Sequence, residues 1–170
     1  AGLRALLAPH GRVEDMEVHG QLVGVRLYPH DRAIRALAPA GIELTPPRAE
    51  RSTGPGHRDF TIVSDASIGI EEDMARRDFT INAMALELTG GEPTLVDPFG
   101  GAADLATRTL RTPLAPQTSF TDDPLRMLRA ARFVAALGAI PVPELVAAVQ
   151  AMATRLEIVS AERIRDELDK

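Results

Sequence analysis

The sequence predicts an α+β fold in two parts: a mixed sheet with helices over residues 1–112, then an all-α segment over residues 113–170. Three observations carry this. Short β-rich runs punctuated by glycine recur through the first two-thirds, as in "VHGQLVGVRLY", "GIELT" and "FTIVSD". Two apolar runs, "TINAMALEL" and "PTLVD", flank the turn "TGGE", a hairpin signal. From Asp122 onward the apolar spacing becomes helical and stays so to Lys170.

The elements follow in order. Leu3–Leu7 reads as a short helical piece, and Val18–Tyr28 as β-structure broken at Gly20 and Gly24. "DRAIRALAPAG" reads as a short helix ended by Pro39 and Gly41, and Gly41–Thr45 as a strand. Pro46–Asp59, "PPRAERSTGPGHRD", is Pro, Gly, Ser and charge; it cannot pack a core and is expected as a mobile loop. Phe60–Asp65 alternates like a strand. Ser67–Asp78 carries acids in its first turns and Arg76 and Arg77 in its last, a distribution that suits a helix dipole. Gly100 and Gly101 break the chain within "DPFGGAADL". In "DDPLRMLRAARFVAALG", Asp123 fits an N-cap, Pro124 the first helical position and Gly138 the stop. "PELVAAVQAMATRL" reads as a second helix, and Ser160 caps a third, "AERIRDELDK".

Composition narrows the function. Hydrophobic residues make up 45% of the chain but aromatics only 4%, so Leu, Val, Ile and Ala must fill the core. With no cysteine, disulfides and thiolate metal sites are excluded, and a cytoplasmic location is expected. No apolar run reaches the ~18 residues of a membrane span, and the first ten residues do not read as a signal peptide. The formal net charge is -5, whereas domains that grip nucleic acid through bulk charge are usually basic. The cations are nevertheless clustered, and Lys170 is the only lysine among them. Arginine's planar fork suits phosphate and base edges.

Two clusters raise chemical questions. Arg76, Arg77 and Asp78 stand side by side where a helix pattern meets an apolar run: either a solvated helix end or a grip for an anion. In "TDDPLRMLRAARF", Asp122 and Asp123 lie four and three residues before Arg126, so one helical face holds both signs. One reading is a cap with intrahelical ion pairs, each worth about 0.3–0.5 kcal/mol. The other is a reader of nucleobases. A carboxylate only accepts and a guanidinium only donates hydrogen bonds. Cytosine and adenine both offer an amino donor beside a ring-nitrogen acceptor, so one Asp–Arg pair serves both. Uracil and guanine present the reverse pattern and leave polar groups unpaired, at about 1–3 kcal/mol each. "DPFGGAADL" is either a hinge or an ordinary Asx turn, and "RAERSTGPGHR" either an anion-binding loop or a surface one. His10, His19, His30 and His57 lack metal-ligand spacing.

Taken in order, "ARRDFTINAMAL", "LVDPFGGAADLATRTLR", "FTDDPLRMLRAARF" and "SAERIRDEL" resemble the motifs of class II CCA-adding tRNA nucleotidyltransferases and their bacterial poly(A) polymerase relatives. "PPRAERSTGPGHRDF" is similar to a loop of the same family, and the resemblance runs from about Arg12 to Lys170. It implies a nucleotidyltransferase head over residues 1–112 and a helical neck over 113–170. It implies that Arg76, Arg77 and Asp78 handle the ribose and phosphates of an incoming nucleotide. Asp97, Gly100, Gly101 and Asp104 match the hinge between head and neck. Asp122, Asp123 and Arg126, with Arg129 just beyond, match the template that selects CTP and ATP; the first position is usually Glu. Glu162, Arg163 and Arg165 match the helix that braces that template.

The implied reaction adds nucleotides to the 3′ end of tRNA or RNA, with ATP and CTP as substrates and Mg²⁺ as cofactor. The family's "GGxVRD" and DxD elements, which supply two metal ligands, have no match here. Only Glu43 aligns with a third carboxylate, and Asp15 and Glu17 offer a remote substitute. The chain is therefore expected to start after those elements, to lack the tRNA-holding body, and to be inactive alone. Self-association or a catalytic fragment supplied in trans is a further expectation, and no membrane partner is expected. Two alternatives stay open: RNA 3′ adenylation of the poly(A) polymerase type, and a degenerate, non-catalytic nucleotide- or RNA-binding module.

Overall fold

Alternation of buried and exposed residues begins at Gly11, earlier than the β-rich pattern suggests. The computed structural model describes residues 2–18, 20–52, 60–64, 68–89 and 91–170. These form an α+β protein with two compact units, Ala1–Arg48 with Ser64–Ile68, and Ala49–Val63 with Gly69–Lys170. No helix among the described residues is long and apolar enough to cross a membrane.

In the first unit, a short helix, Gly2–Leu7 (α1), precedes strand Gly11–Val18 (β1). Strand Gln21–Pro29 (β2) returns antiparallel, from Gly11 opposite Pro29 to Val18 opposite Gln21, with an irregularity at Met16/Glu17. Gly20, at φ 77°, takes the left-handed conformation that the turn needs. Asp31 caps helix Arg32–Leu37 (α2) by accepting from the Ala33 and Ile34 amides at 2.8 and 3.0 Å. Strand Ile42–Leu44 (β3) then pairs with β2. Val13, Val25 and Leu27 form the core, covered by Leu7 and Leu44. Period-two alternation puts Arg12, Glu14, Arg26, Tyr28 and Glu43 on the other face. There Arg12 lies 4.3 Å over the Tyr28 ring, and Arg26 pairs with Glu43.

Residues Arg48–Ser52 (β4) and Phe60–Ser64 (β5) form a two-stranded sheet. The loop expected over Pro46–Asp59 is thus partly strand, and its residues 53–59 lie outside the described residues. Helix Ile70–Ala75 (α3) has Glu71, Glu72 and Asp73 in its first turn. The next residues depart from the expected strand. Thr80–Asn82 is a 3-10 turn, because Thr80 is held by side chains and loops rather than by a neighbouring strand. Its amide donates to the Arg111 carbonyl at 3.0 Å and its hydroxyl to the buried Asp104 at 2.7 Å. The hairpin appears as expected, in short strands Ala85–Glu87 (β6) and Thr94–Val96 (β7).

Helix Gly101–Thr107 (α4) starts after Gly100, which is left-handed at φ 72°. No side chain at that position can cap it, so Asp97 reaches forward, accepting from the Gly101 and Ala102 amides at 2.6 and 2.9 Å. Strand Thr109–Leu110 (β8) pairs in parallel with Ile140–Pro141 (β9). A helix not foreseen, Pro116–Asp122 (α5), lies between them in sequence, with proline in its first turn. It displaces the expected cap: Asp123 ends α5, and the next helix, Arg126–Leu137 (α6), begins three residues later. Gly138 ends α6 in the left-handed conformation. Helix Pro143–Met152 (α7), a 3-10 stretch over Ala153–Ile158 and helix Ala161–Leu168 (α8) complete the chain, the last capped by the Ser160 hydroxyl.

Phe79, Leu110, Phe120, Met127, Phe133 and Leu145 share one core. The rings of Phe79 and Phe133 lie 5.2 Å apart and tilted by 57°, a favourable aromatic geometry. Residues on both sides of 112/113 contribute to this interior, Phe79 and Leu110 before it and Phe120 and Phe133 after it. A Cβ added at Gly101 would meet the Thr80 carbonyl at 2.2 Å. Gly101→Ala therefore forces backbone apart and should cost about 1–3 kcal/mol, the usual penalty of overpacking. Urea denaturation of the wild-type and variant chains measures it, and an unchanged midpoint would contradict the close packing.

Candidate functional site

The junction after α3 turns the chain sharply, and this brings charge inward. A cavity of about 630 Å³ in the second unit is lined by Arg76, Arg77, Arg126, Arg129 and Arg163, by Asp78 and Asp123, and by Asn82, Leu125 and Phe133. Five guanidinium groups face two carboxylates in a chain whose net charge is -5. That local excess of positive charge attracts anions.

Each arginine is held. The buried Asp73 carboxylate accepts from Arg76 Nη2 at 2.9 Å through one oxygen and from Arg77 Nη2 at 3.3 Å through the other. Arg126 donates to the Ser119 hydroxyl at 2.9 Å and to the Arg76 carbonyl at 2.5 Å, tying α6 to α5 and to the end of α3. Arg163 of α8 donates to Asp123 at 2.9 Å, while the other Asp123 oxygen accepts the Leu125 amide at 3.1 Å. Arg129 places Nε and Nη2 at 2.9 and 2.5 Å from one oxygen of Asp78. The second Asp78 oxygen accepts from the Phe79 amide and the Asn82 side chain at 2.8 and 3.1 Å. Behind the cavity, Glu167 of α8 is 2% exposed and meets Arg132 at 2.5 Å, Lys170 at 3.2 Å and Arg129 at 3.7 Å.

Burial raises the carboxyl pKa of Asp78, but the hydrogen bonds from Arg129 and Asn82, the Arg129 charge and the Phe79 amide outweigh it and hold it below its usual value. Glu167 behaves alike: burial raises it, and Arg132, Lys170 and Arg129 bring it below the usual value.

The residues expected to act together separate into groups. Arg76, Arg77, Asp78, Asp123, Arg126 and Arg129 line the cavity, and Arg163 joins them through Asp123. Asp122 is half-buried at the end of α5 and is not among the lining residues. Glu162 and Arg165 are exposed on α8. Asp97, Gly100, Gly101 and Asp104 form the tight α4 junction, with Asp104 also accepting from Arg111 at 2.8 Å. Glu43 belongs to the first unit, where Arg26 takes its carboxylate. Asp15 is engaged by Arg4 at 2.5 Å, and Glu17 is exposed. Among the described residues no group of three His, Asp or Glu is placed to hold a metal ion.

Sequence reasoning missed Asp73, Asn82, Ser119 and Glu167. Asp73 stands three and four residues before Arg76 and Arg77, so helical spacing could have found it. Ser119 and Glu167 reach across helices and leave no local signal.

Asp78 and Glu167 both have native pKa values below their unfolded ones. Their contribution to stability is therefore complete at neutral pH and is lost as pH falls from the ordinary carboxylate range through the lowered native values. Urea midpoints between pH 7 and pH 2.5 should fall along that path. Glu167→Gln should be less stable at pH 7 and show a shallower decline, whereas an unaltered pH slope would show that this carboxylate does not carry the effect.

Two family models match this chain: the poly(A) polymerase head domain over residues 20–111, and the probable RNA- and SrmB-binding site of polymerase A over residues 142–170. A multifunctional CCA protein of Xylella fastidiosa (strain M23) is 40% identical over 157 residues, covering 89% of this chain and 36% of that protein. The chain thus spans about a third of the length of the curated relatives it matches. The Bacillus stearothermophilus CCA-adding enzyme, solved in complex with CTP, superposes with a TM-score of 0.68 at 30% identity over 91% of this chain and 34% of that one. A CCA-adding enzyme solved in complex with ATP gives 0.67 at 26% identity over 98% and 33%. With more than half of its residues inside the head-domain match, this chain belongs to the CCA-adding nucleotidyltransferase and poly(A) polymerase family.

Proposed function

We propose that the second unit binds a nucleoside triphosphate carrying cytosine or adenine, as the nucleotide-selecting part of an enzyme that adds CCA to the 3′ end of tRNA. The observation that carries this is the meeting of Asp123 and Arg126 with Arg76 and Arg77 around one cavity. Asp123 keeps acceptor capacity beyond its bonds to Leu125 and Arg163, since a carboxylate has about four lone-pair sites. Arg126 uses three donor contacts and has five N–H groups, which leaves donors for a base. Leu125 and Phe133 supply apolar surface for a ring. Arg76 and Arg77 supply cations for phosphates, and Asp78, with Arg129, shapes the wall between. The relatives solved in complex with CTP and with ATP support this assignment. Residues 142–170, matched by the RNA-binding model, are the part we assign to the RNA partner.

Magnesium is the cofactor expected of the family. The described residues do not fit a metal centre: no suitable cluster is present among them, and Glu43 is engaged by Arg26. We assign the described residues selection and positioning of the nucleotide, and derive no metal-assisted step from them.

Calorimetric titration with the four ribonucleoside triphosphates tests the assignment. CTP and ATP should bind, and UTP and GTP at least about fivefold more weakly, since one unpaired polar group costs about 1–3 kcal/mol. ATP binding without CTP would point to adenylation instead. Equal binding of all four, or of none, contradicts the base-reading role of Asp123 and Arg126.

A further inference from the structure

One buried acid that holds two of the cavity's arginines, Asp73, is absent from its lining. Asp73 lies within α3, and its side chain is 10% exposed, against 23% and 46% for the arginines it holds. A helix-surface ion pair normally leaves both partners in water and contributes little. Here one carboxylate is buried and divided between two guanidinium groups: one oxygen meets Arg76 Nε and Nη2 at 3.3 and 2.9 Å, and the other meets Arg77 Nη2 at 3.3 Å. Both arginines line the cavity. Arg77 is fixed a second time by donating to the Asn82 carbonyl at 3.3 Å, and the Arg76 carbonyl accepts from Arg126 at 2.5 Å.

We propose that Asp73 is a positioning residue for polyphosphate: its buried carboxylate holds Arg76 and Arg77 side by side, so that a phosphate chain meets a preformed pair of cations. This rests on the nucleotide reading of the cavity, and it deepens that reading at the phosphate end. Two physical effects oppose each other. Asp73 brings a negative charge close to where phosphates bind, which weakens their attraction. It also removes the freedom of two long side chains before the ligand arrives, and binding gains whatever ordering has already been done. Stoichiometry settles the balance: one carboxylate is shared by two guanidinium groups, so the three together stay net positive toward the cavity, and both arginines are oriented before the ligand arrives.

Asp73→Asn keeps the shape of the side chain and removes its charge, and Asp73→Glu keeps the charge. The probes are inorganic tripolyphosphate, CTP and CMP, titrated calorimetrically into the chain at fixed salt. Asp73→Asn should weaken tripolyphosphate and CTP about tenfold, as expected when one preorganised arginine is released. CMP should stay within about twofold, and Asp73→Glu should recover part of the loss. A merely structural role would lower thermal stability and weaken CMP and CTP alike. Equal losses, unchanged tripolyphosphate affinity, tighter binding, or no tripolyphosphate binding by the wild-type chain would each overturn the proposal. Tripolyphosphate has no base. If it binds as described while the four nucleotides fail to be told apart, the base assignment falls and the role of Asp73 stands.

Discussion

One chain of ion pairs organises the second unit: Asp78 to Arg129, Arg129 to Glu167, and Glu167 to Arg132 and Lys170. It joins the segment after α3, the middle of α6 and the end of α8. Two of its members are carboxylates exposed by less than a tenth. Buried carboxylates are costly unless paired and fully hydrogen-bonded. Asp78 meets this condition with four contacts, and Glu167 with three cations. The arrangement therefore fixes which faces of α6 and α8 meet, since an apolar contact would tolerate rotation and this one does not.

Fixing those faces determines the cavity. The turn of α6 that carries Arg129 also carries Arg126, and the α8 helix that carries Glu167 also carries Arg163. Holding Arg129 and Glu167 together places Arg163 against Asp123 and Arg126 against Ser119 and the Arg76 carbonyl. The Asp123–Arg126 end of the cavity and its Arg76–Arg77 end are thus held in register partly by Ser119 and Glu167, which lie outside its lining. Pre-set geometry of this kind spares a ligand the ordering of several arginines.

Much of this was legible in the residues. The hairpin around "TGGE", the Gly138 stop and the Ser160 cap rest on local rules, and local rules suffice when one turn decides the outcome. The strand expected at Thr80 failed because a long-range partner, Asp104, overrode the local pattern. The α5 helix was hidden because "PQTSFTD" shows little apolar spacing and gains its place through Phe120, which is fully buried. The site followed the same division. Adjacent charges such as Arg76, Arg77 and Asp78 could be read directly. The partners that aim them, Ser119 and Glu167, come from distant helices and needed coordinates. Glu43 shows the converse: alignment singled it out, and its immediate surroundings give it a cross-strand arginine.

The contact between Gly101 and Thr80 links two regions that look separate in sequence. With the α4 backbone lodged against the 3-10 turn, and Asp104 gripping the Thr80 hydroxyl, neither piece can shift without the other. The same turn contains Asn82, whose side chain and carbonyl hold Asp78 and Arg77. Any tilt of α4 is consequently transmitted, through a rigid block a few residues wide, to the Arg77 and Asp78 walls of the cavity.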